Sequence, residues 1–133
     1  MTGYLLDTCA WIDAFSAPEL LRADVRTLIQ SQRLIHIASI SLLEVARKEA
    51  AGQLIFGMPL AEWFHSALPQ NRVKVIDLSP SISIDATRLP VWEHKDPCDR
   101  LVVATARVHR LTVLTSDVKI LAYPHVNSLA TRK

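Results

Sequence analysis

Four acids in this chain stand where a strand-like apolar run gives way to a helix-like one. They are Asp7 after GYLL, Glu44 inside ISLLEVARKEAA, Asp99 in EHKDPCDRLVVATA and Asp117 after LTVLTS. Any one of them has an ordinary local reason to be there, because strand ends and first helical turns favour carboxylates. Gathered in one place they would be different. Two carboxylates about 5 Å apart repel by roughly 3 kcal/mol at an effective dielectric of about 20, and four make several such pairs. Shared protons or a cation must offset this, and an all-oxygen set without nearby His or Cys ligands is the preference of Mg²⁺ or Mn²⁺. Ions held that way can bind a phosphodiester, lower the pKa of an attacking water and stabilise the leaving oxygen.

The neighbours of these acids have smaller parts. Asp96 reads as the N-cap of the helix that Pro97 begins, with Asp99 in the first turn facing the helix dipole. Thr8, beside Asp7, and Thr115, two residues before Asp117, could hydrogen-bond carboxylates or metal-bound waters, although strand-end capping explains either one alone. Arg100, adjacent to Asp99, is the best candidate for a phosphate contact. His94 reads as a solvated loop histidine. Cys98 reads as a small buried cysteine, since no base is placed by the sequence to make it a nucleophile. Nucleotide-cofactor enzymes are disfavoured, because the only glycines, Gly3, Gly52 and Gly57, cannot build GxGxxG or a P-loop. The first strand ends in DTC, where a phosphatase opening on an aspartate would show DxD.

The elements that must position the acids follow from periodicity. GYLL is a short buried strand ending at Asp7, and TCAWIDAFS begins a helix. Leu20, Leu21, Val25, Leu28 and Ile29 fall at helical spacing and predict one amphipathic helix over Glu19–Ser31. LIHIAS is a second strand. Ile40–Ala51 returns to helical period, with Ser39 or Ser41 as cap, Gly52 at its end and Glu44 near its start. Met58–Leu68 predicts another helix, RVKVIDLS a third strand, and SISIDATRLP a short helix closed by Pro90. Leu101–Val108 is apolar nearly all round, which predicts a central buried helix. LTVLT is a strand, VKILAYP a short helix, and HVNSL a weakly signalled final strand.

Strands alternating with helices imply an α/β domain with a mostly parallel central sheet and helices on both faces. In such folds ligands bind in the crevice at the carboxyl ends of the strands, and that rule brings Asp7, Glu44, Asp99 and Asp117 to one edge.

Composition agrees and narrows little else. With 133 residues, 50% hydrophobic and 21% charged, the chain fits a single domain spanning 1–133. The net charge of +2 does not announce nucleic-acid binding by itself. Cys9 and Cys98 show no CxxC spacing, so neither a disulfide framework nor a zinc ribbon is expected. No apolar run is long enough for a membrane span and MTGYLLD lacks the features of a signal peptide, so the expected location is cytoplasmic, with no membrane partner.

The ordered set YLLDTCAWID, ISLLEVARKEAAGQL, HKDPCDRLVVATA and LTVLTSDVKILAYP resembles the PIN-domain family, specifically the VapC-like ribonuclease toxins of toxin–antitoxin pairs, over nearly the whole chain. The resemblance implies a three-layer α/β/α PIN-like fold, a Mg²⁺- or Mn²⁺-dependent endoribonuclease activity on RNA, homodimerisation and a cognate antitoxin. It implies metal-site roles for Asp7, Glu44 and Asp99, with Asp117 the more variable fourth acid, Asp96 in the DPxDR element as a cap, and Thr115 as a supporting hydroxyl. An antitoxin peptide would lie over apolar grooves between the Glu19–Ser31 and Ile40–Ala51 helices, with a basic side chain reaching the acids. One departure is visible: LPVWEHKDP runs slightly longer before the DP than in many relatives, so the loop leading to the site differs. The rival from another class is a catalytically silent PIN-like module that binds RNA or a partner.

Overall fold

Gly3–Leu6 (β1), Ile35–Ala38 (β2), Val73–Ile76 (β3), Leu111–Thr115 (β4) and Ser128–Ala130 (β5) make one sheet in a computed structural model that describes residues 3–133. The order is β3-β2-β1-β4-β5 and every neighbouring pair is parallel. Side chains alternate across a strand, so consecutive apolar residues serve opposite faces. Leu5, Ala38, Ile76 and Val113 enter one core, and Leu6, Ile37 and Leu114 enter the other. That double burial is why these strands read as continuous apolar runs.

Helices cover both faces, giving three α/β/α layers. On the first face Ile82 and Ala86 of α5 (Pro80–Thr87), Val102, Val103 and Ala106 of α6 (Pro97–His109) and Ile120 of α7 (Val118–Leu121) pack on the sheet. α6 is buried all round through Val102–Ala106, as its apolar circumference predicts, while Val108 near its end is exposed. On the second face lie α1 (Thr8–Ser16), α2 (Ala23–Ser31), α3 (Ile40–Ala50) and α4 (Leu60–Ala67). This core is aromatic: Trp11 and Trp63 meet edge-on with ring centroids 4.9 Å apart, a geometry worth about 0.5–1.5 kcal/mol beyond the area buried. Trp11 donates its indole N–H to the Ala67 carbonyl at 2.9 Å, so a polar atom is buried without penalty. No helix among the described residues is long and apolar enough to cross a membrane.

Three expectations change. The helix expected over Glu19–Ser31 is broken: Pro18–Leu20 forms a single 3₁₀ turn, Leu21 and Arg22 are extended, and α2 starts at Ala23. The Arg22 N–H donates to the Thr131 carbonyl at 2.8 Å, a pairing with the far end of the chain that overrides helical propensity. The last strand lies at 128–130, not 125–129, because it is fixed by pairing with Val113, Leu114 and Thr115 of β4. Glu44 stands in the second turn of α3 instead of at its start, and Ser39 caps that helix without a side-chain bond, its Oγ accepting instead from the Leu78 N–H.

The chain runs from β1 through β2 to β3 on one side of the sheet and then returns to lay β4 on the other side of β1. The crevice between the carboxyl ends of β1 and β4 is therefore the topological switch point where α/β proteins bind ligands. α6 enters β4 through Arg110 alone, held in the left-handed region, so α6 runs against the strands and its N-terminus opens onto the same edge.

Candidate active site

Asp7 is the first residue after β1 and the N-cap of α1, where its Oδ1 accepts from the Ala10 N–H at 2.8 Å. Its Oδ2 accepts from the Thr115 hydroxyl at the end of β4. Only 6% of Asp7 is exposed, and burial pushes its carboxyl up from 3.8 to about 6. The two hydrogen bonds oppose that rise, while the Asp99 and Asp117 carboxylates add to it.

The Thr115 hydroxyl is a hinge between two acids. It donates to Asp7 and accepts the backbone N–H of Asp117 at 2.9 Å. Asp117 is in turn the N-cap of α7, accepting from the Lys119 N–H at 2.8 Å.

Asp99 comes from the first turn of α6 and meets His94 from the preceding loop, with Oδ2 and Nε2 2.6 Å apart. His94, Asp99 and Asp117 offer ligand atoms that all lie within 4.8 Å of one another. Burial raises the Asp99 carboxyl above its ordinary range, against the bond from His94. The set is hard and oxygen-rich with one imidazole, which suits Mn²⁺ well and Mg²⁺ through its carboxylates. Half-buried carboxylates whose charges already press on one another are the electrostatic complement of a divalent cation.

The remaining candidates divide. Asp96 caps α6, its Oδ1 accepting from the Cys98 and Asp99 N–H groups at 2.9 and 3.2 Å. Glu44 is outside the tight trio. Its carboxylate has 11% of its surface exposed, stands 4.0 Å from both Arg47 and Lys48, and neighbours the Cys98 thiol. Thr8 bonds Ser41 at 2.8 Å and approaches Cys98 Sγ at 3.9 Å, so its hydroxyl is directed into the α1–α3–α6 junction. Burial, reinforced by Glu44, pushes the Cys98 thiol far above its ordinary range, which leaves it protonated and without nucleophilic use.

Arg100 does not present a free guanidinium. It donates to the carbonyls of Ala86, Trp92 and His94 at 2.9, 3.2 and 3.1 Å, and so pins the loop that carries His94. His94 itself was expected to be a solvated loop residue; its side chain is only 13% exposed and bonded to Asp99. The available signal was its place five residues before Asp99, within reach of a helix N-terminus that the cap at Asp96 fixes. Nothing in periodicity says that the loop folds back.

The PIN domain family model matches residues 4–126 of the chain. Among curated proteins, ribonuclease VapC22 of Mycobacterium tuberculosis is 26% identical over 125 residues, covering 94% of this chain and 95% of that protein. Among solved structures, a chain of the DNA-bound VapBC complex from Salmonella typhimurium superposes with a TM-score of 0.68 at 19% identity, covering 98% of each chain. A chain of a toxin–antitoxin complex from Klebsiella pneumoniae gives 0.68 at 22% identity, covering 96% of each.

Proposed function

The chain belongs to the PIN domain family, and from that premise we propose that it is a metal-dependent endoribonuclease, the toxin of a toxin–antitoxin pair. The observation that carries this reading is the Thr115 bridge, which sets buried Asp7 beside the His94–Asp99–Asp117 trio at the switch point of the sheet. The ribonuclease name of the Mycobacterium relative and the toxin–antitoxin complexes among the structural relatives support it. With it go a cognate antitoxin, a homodimer, a cytoplasmic setting and a single PIN-like unit over residues 1–133.

Asp99, Asp117 and His94 would hold Mg²⁺ or Mn²⁺, with Asp7 behind them and Glu44 at the flank. An ion so held supplies Lewis acidity toward a phosphate oxygen and toward water. The chain's own part is preorganisation. Thr115 fixes the Asp7 carboxylate and the start of α7 together, so the inner acid cannot rotate away from the trio. Asp96 anchors the first turn of α6, which sets where Asp99 points. The N-termini of α1 and α6 direct N–H dipoles at the edge that an anionic RNA backbone must approach.

The test is cleavage of a pooled, structured RNA by purified protein free of antitoxin, with Mg²⁺, Mn²⁺ or EDTA, beside Asp7→Asn and Asp99→Asn. Discrete cuts that need metal and vanish in both variants are expected. RNA that is bound but left intact by every folded sample would replace this reading with a catalytically silent RNA-binding module.

A further inference from the structure

A groove of about 700 Å³ adjoins the acid trio and is not needed to explain it. His94 belongs to both, and Lys119, which lines the groove, follows Asp117 by two residues. Its floor is aromatic. Trp92 stacks on Tyr123 with ring centroids 4.4 Å apart and planes 20° from parallel, and His94 stands edge-on to Trp92 at 5.0 Å. Lys95 and Lys119 are exposed on its walls, with Glu93 the one acid among the lining residues.

The platform is tied down at both ends of its loop. Arg100 holds the Trp92 and His94 carbonyls, and the buried Tyr123 donates its hydroxyl to the Pro90 carbonyl at the loop's other end. A half-buried indole backed by a second ring and flanked by ammonium groups is what unpaired nucleic acid needs: a face for a base and charge for its phosphates. A duplex offers no free base face to it.

We infer that the Trp92–Tyr123 groove binds an unpaired RNA nucleotide next to the phosphate presented to the acid trio, the base stacking against Trp92 and Lys95 and Lys119 holding the backbone. The identity of the ligand as RNA rests on the ribonuclease reading above.

The probe is a fluorescein-labelled single-stranded RNA of mixed sequence, about a dozen nucleotides long, followed by fluorescence anisotropy in an Asp7→Asn background so that it stays intact. The expected results are weaker binding of the annealed duplex and a 5- to 150-fold loss of affinity, roughly, for Trp92→Ala. Trp92→Phe should recover most of that loss and Trp92→Leu, which keeps apolar packing on Tyr123 without an aromatic face, should not, which separates stacking from packing. Lys119→Ala, a surface change, should lower the slope of log Kd against log salt by about 0.7. Wild-type affinity in folded Trp92→Ala and Lys119→Ala proteins overturns the inference, and is also the result if the groove takes a polypeptide. The ribonuclease reading fails separately: binding that depends on Trp92 without any metal-dependent cleavage leaves the groove standing and removes the catalysis.

Discussion

Asp7 and Asp99 are the same residue type at the same edge of the sheet, each at a helix N-terminus, yet the fold treats them in opposite ways. Asp7 is walled in, bonded to Ala10 and Thr115, and held with its carboxyl near 6. Asp99 has 21% of its side chain exposed, is bonded to a loop histidine, and shares its space with Asp117. The inner acid carries a charge that burial disfavours. The outer acids are an open set that a ligand can reach. Burial therefore separates an acid withdrawn from water from acids that still meet it.

The sharpest way to break this contrast is to neutralise one acid at a time. Both Asp7→Asn and Asp99→Asn should lower RNA cleavage by roughly a hundredfold or more. Their stabilities should diverge. A carboxyl raised from 3.8 to about 6 costs the folded state roughly 3 kcal/mol once it is ionised, and asparagine is an equally good N-cap. Asp7→Asn should therefore stabilise the metal-free protein by about 1–3 kcal/mol in thermal unfolding at pH 8 with EDTA. Asp99→Asn relieves a smaller burial cost and gives up the His94 bond, so its gain should be smaller than that of Asp7→Asn.

The same contrast has a pH signature. Between about 4 and 6 the folded state keeps the Asp7 proton that the unfolded chain has released, so the folded state binds more protons. Stability from this group is then present below pH 4 and falls as pH rises through 6. Denaturant titrations of metal-free protein should show that fall, and Asp7→Asn should flatten it across this window.

Metal affinity sharpens the comparison further. Thr115→Val cuts the tie between the inner and outer halves, and His94→Gln removes one donor of the outer half alone. Each should weaken Mn²⁺ binding by about 10- to 100-fold in calorimetry or electron paramagnetic resonance. Thr115→Val should in addition raise the Asp7 carboxyl, because it removes the largest effect opposing burial there. The last effect is purely structural and falls at Arg100. Arg100→Ala should cost about 1–3 kcal/mol of stability through three orphaned carbonyls, with loss of order in the Trp92–His94 loop by hydrogen exchange.

Most of this fold is legible in the chain because its signals are local. Asp96 and Pro97 fix the start of α6, continuous apolar runs mark the strands buried on both faces, and Gly52 closes α3 at positive φ. What escaped is decided by partners distant in sequence. The break at Leu21–Arg22 answers to Thr131, and β5 takes its register from β4. The site divides along the same line. Asp7, Asp99 and Asp117 announce themselves by standing at element boundaries. His94 does not, because its role depends on a loop that Arg100 folds back with backbone bonds no residue pattern records. The bonds of Arg100 escaped for the same reason, since its charge says nothing of the backbone carbonyls to which its Nε and Nη1 donate.

The Thr115 bridge also sets a timetable. Asp7 is made among the first residues, but the hydroxyl that orients it lies 108 positions later, and the strand that holds β1 from its other side is β4. Contacts of such long sequence separation form late, after the intervening chain is available to close the loop. A nascent chain emerging from the ribosome thus carries its first acid without the means to aim it. The arrangement of acids at this edge is therefore incomplete until nearly the whole chain has been made.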